Sequence, residues 1–531
     1  MLLMQLVAGL LLLLAAAGLT IRLLHPLPSL EPRAPSTRLT DTGDTALGRG
    51  ISALRAGQAP HLSGVHMLAD SQDAFAARIL LARRAERSLD LQYYIWRSDL
   101  SGTLLLEAVR AAADRGVRVR LLLDDNGIAG LDTVLAALDL HPHIEVRLFN
   151  PFTIRRPKML GYLADFPRLN RRMHNKSFIA DGQATIIGGR NIGDEYFDAR
   201  DDQLFSDLDV LAVGPVVDDT ARDFERYWAS ASAYPASRIL PSVSVDEQRA
   251  LSRRASLVER DIAARRYMEA ISALPFITQL VEGSLPFSWA PVRLISDDPA
   301  KGIGKAREDG MLTAALREAI GAPERELYLI SGYFVPTSTG VEAFSELAAR
   351  GVEIAIFTNA FEATDVWVVH AGYADQRKAL LQAGIRLFEM RGPGDENTPR
   401  RKLIGAGSGS GGTREGHVLR SSATTLHAKT FVVDSARLFI GSFNFDPRSM
   451  NLNTELGFVI ESTQLGCIVA CTFETEIPAR AYEVVLTEDN DLAWREQQAD
   501  GIVIHTREPG TTRLQRLGIR FLSHMPIEWL L

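Results

Sequence analysis

An internal duplication constrains the fold of this chain more than any other feature of its sequence. The order strand, amphipathic helix, strand occurs twice, and in both copies Arg-Gly-Val leads into the second strand. Alternating strands and helices predict βαβ units, and glycine suits the end of a helix. We therefore expect an α/β fold of two similar halves, each a mixed, largely parallel sheet flanked by helices, related by a pseudo-two-fold axis with a shared site at their junction. The repeated segments are Leu89–Trp96, Gly102–Arg115, Val117–Leu123 and Ile144–Phe149, then Leu327–Val335, Gly340–Arg350, Val352–Phe357 and Ile385–Glu389.

Each half also carries the pattern His-x-Lys-x4-Asp, followed by Gly-x-x-Asn. Two accidental matches at equivalent places of a duplicated chain are rare. Residues two apart in a strand point to one face, roughly 6.6–6.8 Å apart, so imidazole and ammonium reach the same pocket. This pattern predicts a phosphate site in which one histidine is the nucleophile and the other the general acid, while lysines and asparagines neutralise the phosphoryl oxygens. The residues are His174, Lys176, Asp181 and Asn191, and His427, Lys429, Asp434 and Asn444.

The carboxylates of the two motifs allow more than one role. Asp181 and Asp434 belong to the candidate catalytic set, but Asp181-Gly182 is typical of a hairpin turn, which favours a turn-forming or supporting role over proton transfer. A nucleophilic histidine needs a neutral ring whose other nitrogen is held by an acceptor. Asp209 and Glu455, downstream of the motifs, are the acids we expect to support the histidines in this way.

The sequence predicts neither a metal nor a cofactor, because it shows no cluster of acidic and histidine ligands. The only cysteines, Cys467 and Cys471, are four residues apart. This spacing favours one face of a helix, and two thiols make neither a disulfide framework nor a zinc site. The cations of the site are therefore expected to be side chains.

With these motifs the chain resembles the phospholipase D superfamily, whose hallmark is two His-Lys-Asp motifs, and within it the bacterial cardiolipin synthases of the C type. The resemblance implies a metal-free phosphatidyltransferase that makes cardiolipin through a phosphohistidine, with His174 as nucleophile and His427 as acid and base. It also implies phosphatidylglycerol as acceptor and phosphatidylethanolamine as donor. The residues themselves leave open a phospholipase D-type hydrolase and, less favoured, a phosphodiesterase acting on nucleic acid. The resemblance is carried by Leu91–Trp96, Arg118–Asn126, Arg171–Ser177, Val369–Tyr373 and Gly441–Ser449.

Several segments suggest a membrane as partner. Residues 1–24 are apolar up to Arg22 and long enough to cross a bilayer, and no basic residue occurs before Arg22, so we expect an anchor rather than a cleaved signal. The expected location is the bacterial inner (cell) membrane, with the side left open. Basic and apolar residues mix in 155–172, which suits either an anionic membrane surface or a salt-bridged loop. The net charge of −7 argues against nucleic acid as a partner.

The same reading divides the chain into five segments. After the anchor at 1–24 we expect a linker over 25–65, a phospholipase D-like domain with a helical extension over 66–290, a second such domain over 291–480, and a tail over 481–531. Gly405–Gly412 is predicted to be a flexible loop. In the tail, arginines interleaved with apolar residues predict an amphipathic helix that lies on a membrane or on the protein's own core, ending near Trp529–Leu531. The sequence does not specify an accessory protein.

Overall fold

The described part of the chain, taken from a computed structural model, comprises residues 2–33, 35–199, 204–364, 366–392 and 425–523. The loop predicted at Gly405–Gly412 and the chain end at Trp529–Leu531 lie outside these residues. Within the described ranges the chain forms two α/β halves.

The first half is built on a nine-stranded sheet with the strand order β10-β1-β8-β6-β5-β2-β3-β4-β9, and β7 lies outside it. Its strands are β1 Ser63–Leu68, β2 Ser88–Ile95, β3 Arg118–Gly127, β4 Ile144–Phe149, β5 Ser177–Ala180, β6 Ala184–Gly188, β7 Phe205–Ser206, β8 Asp209–Val213, β9 Ala233–Pro235 and β10 Ser288–Ala290. The helices up to this point are α1 Leu2–Leu24, α2 Ala46–Leu54, α3 Ser71–Arg84, α4 Leu100–Asp114, α5 Asp132–Asp139, α6 Gly161–Leu169, α7 Asp194–Phe197, α8 Pro215–Trp228, α9 Val245–Arg260, α10 Ile262–Ser272 and α11 Pro275–Glu282.

The second half is built on a ten-stranded sheet with the strand order β11-β18-β17-β16-β12-β13-β14-β19-β20-β21. Its strands, with β15 outside this sheet, are β11 Val292–Ser296, β12 Glu326–Ser331, β13 Glu353–Asn359, β14 Arg386–Met390, β15 Thr425–Leu426, β16 Lys429–Val433, β17 Arg437–Gly441, β18 Leu456–Glu461, β19 Ala481–Leu486, β20 Leu492–Gln498 and β21 Gly501–His505. Its helices are α12 Leu312–Ile320, α13 Ser338–Ala349, α14 Trp367–Ala374, α15 Arg377–Gln382, α16 Pro447–Asn451, α17 Thr463–Thr475, α18 Ile477–Arg480 and α19 Arg513–Ser523.

The two sheets repeat one strand order, so the predicted duplication is confirmed. The run β8-β6-β5-β2-β3-β4-β9 of the first sheet matches β18-β17-β16-β12-β13-β14-β19 of the second. Fewer strands pair in parallel than the sequence predicted. Strands β2, β3 and β4 pair in parallel, as do β12, β13 and β14, whereas the other neighbours within each sheet are antiparallel. The physical reason is that these strands are each joined to a direct neighbour in the sheet by a helical crossover, while the motif strands β5–β6 and β16–β17 form hairpins.

A shared apolar core holds the halves together. It contains Val65, Ile187 and Val210 from the first sheet and Ile440 and Phe458 from the second, all buried. Because both sheets contribute side chains to this core, polar groups from the two halves can come into contact at its edge.

The N-terminal segment lies against the first half. Helix α1 is long and apolar enough to cross a membrane by length and composition, and most of its described side chains are exposed. It packs on α6 at Gly18, where an added Cβ would lie 2.3 Å from the carbonyl oxygen of Leu163. The segment predicted to be a linker contains α2 and contacts the body, since Arg33 donates hydrogen bonds to the carbonyls of Ala229 (2.8 Å) and Ser230 (2.9 Å).

Candidate active site

The two histidine motifs meet where the halves join. His174 lies three residues before β5 and His427 lies two residues before β16, which are equivalent strands. The backbone N–H of His174 donates to the carbonyl of Thr454 (2.8 Å), and that of His427 donates to the carbonyl of Ser206 (2.8 Å). Each motif is therefore paired through its backbone with the opposite half, and both histidines lie at one interface.

The histidine–carboxylate pairs cross this interface. His174 Nδ1 lies 2.8 Å from Glu455 Oε2, so the histidine of the first half is held by an acid of the second. His427 Nδ1 lies 2.5 Å from Asp207 Oδ2, so the reverse pair also forms. Both carboxylates are buried. With Nδ1 occupied in each ring, Nε2 is the nitrogen that remains for chemistry, and within the described residues no hydrogen bond to either Nε2 is seen.

Asp207, rather than the predicted Asp209, is the acid that supports His427. Asp209 instead accepts a hydrogen bond from Arg78 (2.8 Å) and lies 3.5 Å from Arg190, both of them buried. The sequence holds a signal for this choice, because Asp207 and Glu455 occupy equivalent places just before β8 and β18. In the sheets, Gly188 pairs with Asp209 and Gly441 pairs with Gly457, so the two acids each lie two residues before those partners.

The two lysines lie beside the histidines of their own motifs. Lys176 Nζ donates to the carbonyl of His174 (2.6 Å), and Lys429 Nζ donates to the carbonyl of His427. Both side chains are buried. The ring of Tyr94 packs edge-on to His174 at 5.0 Å and lies 5.7 Å from Lys176 Nζ. Two buried ammonium groups next to two imidazoles form a cationic pocket of the kind that holds a phosphate.

Burial and mutual repulsion lower the proton affinity of this pocket. Burial, followed by the charges of Lys176 and Lys429, lowers the pKa of His174 well below its ordinary value. Burial also lowers the pKa of Lys176 to about 7, although Glu455 opposes this shift. A bound phosphate anion would favour the charged form of Lys176, because an opposite charge nearby stabilises an ammonium.

The two carboxylates differ in charge. Burial raises the pKa of Glu455 to about 7. Burial acts in the same direction on Asp207, but the His427 ring and the charge of Lys429 outweigh it and lower the pKa of Asp207 below its ordinary value. Burial and Lys429 lower the pKa of His427, whereas Asp207 raises it. His427 thus has an ionised partner at neutral pH, while the partner of His174 titrates near neutrality.

The motif aspartates lie away from the histidines and clamp the backbone. The carboxylate of Asp181 accepts hydrogen bonds from the N–H groups of residues 86–88, just before and at the start of β2. Asp434 accepts the equivalent bonds from residues 324–326. Both adopt positive φ, 52° and 54°. These contacts favour a structural role for both aspartates. They do not favour proton transfer, the role that a catalytic residue would have.

The motif asparagines differ from each other. Asn191 accepts a hydrogen bond from the N–H of Ile95 (3.1 Å) and donates to the hydroxyl of Tyr196 (2.9 Å), whose ring packs on His427 at 5.4 Å. It therefore supports the wall of the pocket. Asn444 is buried and its Oδ1 makes no hydrogen bond within the described residues, which leaves an acceptor for a ligand.

Two polar side chains at the ends of parallel strands position the motifs, and neither was predicted from the sequence. Asp124, near the end of β3, accepts hydrogen bonds from Arg172 (2.9 Å) and from the N–H of Met173 (2.8 Å), directly before His174. Asn359, at the end of β13, accepts from the N–H of Leu426 (2.8 Å), directly before His427. A signal was available, since each residue follows an apolar strand and such strand ends converge on ligand sites.

A further pair supports Glu455. Asp297 Oδ2 accepts hydrogen bonds from the N–H of Glu455 (2.9 Å) and from Lys301 Nζ (2.9 Å). Lys301 also donates to the carbonyl of Ser449 (2.9 Å), and both charged side chains are buried. This pair fixes the strand that carries Glu455 toward His174.

The basic segment before His174 is largely neutralised within the protein. Arg155 and Lys158 pair with Asp125 (2.6 and 3.0 Å), and Arg168 pairs with Asp165 (2.5 Å). The salt-bridged loop is thus the better description of these charges. The predicted placement of both cysteines on one helix is confirmed by α17, where they are exposed free thiols. Within the described ranges, no group of three or more histidine, cysteine, aspartate or glutamate side chains is arranged to hold a metal.

The duplicated α/β fold brings two His-Lys pairs into one interfacial pocket, where a carboxylate holds each histidine. These features define an enzyme of the phospholipase D superfamily. A family model described as cardiolipin synthase, PLD-like domain, matches residues 79–228 and 316–477, one segment in each half. The chain belongs to this family.

Similar proteins support the assignment to this family. The chain is 48% identical over 474 residues to cardiolipin synthase C of Escherichia coli (strain K12), covering 89% of this chain and 97% of that protein. It is 24% identical to cardiolipin synthase B of the same strain, over 88% and 90% of the two chains. Among solved structures, a phosphatidylserine synthase of Haemophilus influenzae Rd KW20 matches with a TM-score of 0.54 at 13% identity, covering 91% and 98%, which shows the shared fold.

Proposed function

We propose that this enzyme makes cardiolipin by moving a phosphatidyl group from phosphatidylethanolamine to phosphatidylglycerol, through a phosphohistidine on His174. The observation that carries the proposal is the pair of crossed histidine–carboxylate contacts, which brings both histidines into one cationic pocket. The similarity to cardiolipin synthase C supports the choice of product. The proposal includes no nucleic-acid partner, because the chain has a net charge of −7.

The difference between the two pairs supports His174 as the nucleophile. A nucleophilic ring must be neutral, and the pKa of His174 is lowered well below its ordinary value by burial and by the neighbouring cations. A general acid must hold a proton, and His427 has the ionised Asp207 to stabilise its imidazolium form. Burial and the neighbouring lysine charges lower the pKa of both rings, but for His427 an ionised carboxylate opposes the shift.

In the first step, Nε2 of His174 attacks the phosphorus of the donor lipid. The bond from phosphorus to the ethanolamine oxygen breaks, and the proton on Nε2 of His427 passes to that oxygen, so ethanolamine leaves. In the second step His427 removes the proton from a hydroxyl of phosphatidylglycerol. The freed oxygen attacks phosphorus, the N–P bond breaks, and neutral His174 is restored. Lys176 and Lys429 stabilise the charge on the remaining phosphoryl oxygens throughout.

The segment just before His174 suits contact with lipid. We propose that α1 anchors the protein in the inner membrane, since it is long and apolar enough to span one. Helix α6, which packs on α1, ends five residues before His174. In α6 and the two residues before it lie four exposed apolar side chains that suit the lipid interface: Met159, Leu160, Leu163 and Phe166.

The test supplies both lipids to the purified protein in mixed micelles and follows products by mass spectrometry and free ethanolamine by a coupled assay. Cardiolipin formed with equimolar ethanolamine is the expected result. Cardiolipin with released glycerol would reassign the donor to phosphatidylglycerol. Phosphatidic acid as the only product would mean that water resolves the intermediate, and the hydrolase would replace the synthase.

The roles of the two histidines are separable in the same assay. His174→Ala and His427→Ala are each expected to abolish turnover, because both rings serve one site. An acid-labile phosphatidyl group on the protein is expected to accumulate in His427→Ala when the donor has a good leaving group, and to be absent in His174→Ala. Normal turnover in either variant would contradict the single shared site.

A further inference from the structure

The C-terminal helix α19 has two apolar faces, of which only one is covered by the protein. Ile519 is 5% exposed and belongs to the buried cluster that also contains Val335, Phe361 and Val369. Leu514, Leu517 and Phe521 are 83%, 71% and 68% exposed. Spacings of three and four residues place these three side chains on one face. The alternatives predicted from the sequence, a membrane helix or a helix docked on the core, therefore both describe part of α19.

Arginines line one side of this exposed stripe. Arg513, Arg516 and Arg520 are again three and four residues apart, which places them on a neighbouring face of the helix. Arg516 donates hydrogen bonds to the carbonyl and hydroxyl of Thr511 (2.7 and 2.8 Å), which hold the first turn. A helix with an exposed apolar stripe next to a row of arginines is typical of segments that lie in the interface of an anionic bilayer.

Buried contacts connect α19 to the active site. The cluster under Ile519 includes Tyr333 at its edge, and the Tyr333 ring lies 6.5 Å from that of His427. Just before α19, the carboxylate of Glu508 lies 2.6 Å from His370 Nε2 and accepts a hydrogen bond from Arg377 (2.6 Å). The helix is therefore held in a fixed position close to the half-site of His427, that is, the part of the active site formed by His427 and Lys429.

We propose that the exposed face of α19 lies in the surface of an anionic phospholipid bilayer and seats the second half of the enzyme on its lipid substrate. Three observations favour a bilayer as the occupant: the row of arginines, the closeness of the active site around His427, and a helix α1 on the same chain that is long and apolar enough to span a membrane. The inference rests on the proposed function in taking a membrane lipid as the substrate. It adds a second lipid contact on the opposite half from α6.

The direct test measures lipid contact without measuring catalysis. The full chain, with Cys467→Ser and Cys471→Ser, receives a single environment-sensitive fluorophore at Leu517→Cys and is placed in nanodiscs of phosphatidylglycerol and phosphatidylcholine. A matched label goes to Ile504→Cys on β21, a residue 60% exposed on the outermost strand of the second sheet. Nitroxide-labelled lipid is expected to quench the fluorescence of the label at 517 and to leave that of the label at 504 unchanged.

Quenching at 517 no greater than at 504 would overturn the proposal. A label at 517 that is shielded from water but not quenched by lipid would also overturn it and would indicate a protein partner. Removing one arginine by Arg513→Gln is expected to weaken the attraction to phosphatidylglycerol roughly fivefold, the equivalent of about 1 kcal/mol per basic residue near an anionic surface. If quenching changes neither with this substitution nor when phosphatidylglycerol is replaced by a neutral lipid, attraction to an anionic bilayer is refuted.

A kinetic comparison separates this inference from the proposed function. Leu514→Ser/Leu517→Ser is expected to lower the ratio of the rate on bilayer lipid to the rate on a short-chain lipid below its micelle concentration. Ile502→Ser/Ile504→Ser, which also removes two exposed aliphatic side chains, is expected to leave that ratio unchanged. An unchanged ratio in the α19 variant would contradict docking. Quenching at 517 in a protein that makes no cardiolipin would leave docking in place and refute the function.

Discussion

Replacing Asp207 by asparagine tests whether His427 depends on an acid from the opposite half. Asp207 Oδ2 lies 2.5 Å from His427 Nδ1, and the carboxylate is buried. Burial favours its neutral form, but His427 and Lys429 lower the pKa of Asp207, so it is ionised at neutral pH. Asp207→Asn keeps the shape of the side chain but removes its negative charge. The imidazolium form of His427 then lacks the charge that stabilises it.

The size of the effect follows from the strength of the lost contact. Hydrogen bonds to charged groups contribute about 1.5–3 kcal/mol, so the rate constant is expected to fall about 10- to 150-fold. The pH dependence has a defined sign. Asp207 raises the pKa of His427, so its removal lowers that pKa further. A general acid works below its pKa, and the alkaline limb of the kcat profile is therefore expected to move to lower pH.

Asp209→Asn is the matched control, two residues away and with the same change. Asp209 pairs with the buried Arg78 (2.8 Å), and breaking a buried ion pair costs about 3–5 kcal/mol of folding stability. We expect a lower melting temperature with little change in kcat per folded molecule. Cardiolipin formation in mixed micelles and thermal unfolding measure the two effects. Unchanged kcat in Asp207→Asn, or a larger fall in kcat for Asp209→Asn, would refute the crossed pairing.

Three further predictions follow from the same site. Turnover is expected to survive chelation by EDTA, and activity lost on chelation and restored by one divalent ion would contradict a site whose cations are side chains. Asp181→Ala removes the acceptor of three backbone N–H groups and is expected to cost about 1–3 kcal/mol in urea unfolding while kcat is largely retained. Since burial lowers the pKa of Lys176 to about 7, its charge is lost above that pH. Affinity for a soluble phosphodiester, measured by calorimetry, is therefore expected to fall as pH rises through 7, and an affinity independent of pH would contradict this role.

Local patterns in the sequence were sufficient to predict the elements that carry the site. The strand predicted at Ile144–Phe149 is β4 with the same bounds, and the helix predicted at Gly340–Arg350 overlaps α13. These predictions hold because periodicity and the Arg-Gly-Val helix end depend on neighbouring residues. The spacing of histidine and lysine likewise needs only the two-residue repeat of a strand. Sequence therefore determined the two α/β halves and the two half-sites.

Only the tertiary structure decided which groups meet. Asp207 and Asp209 carry the same carboxylate two residues apart, and in the sequence only the equivalent place of Glu455 in the second half distinguishes them. Asp207 reaches a histidine 220 residues away in the other half, while Asp209 meets Arg78 from α3. The pairing of His174 with Glu455 spans 281 residues. Such contacts depend on how the two sheets pack across their shared core, and the free energy of burying a charge beside its counter-charge is fixed by that packing rather than by neighbouring residues in the chain.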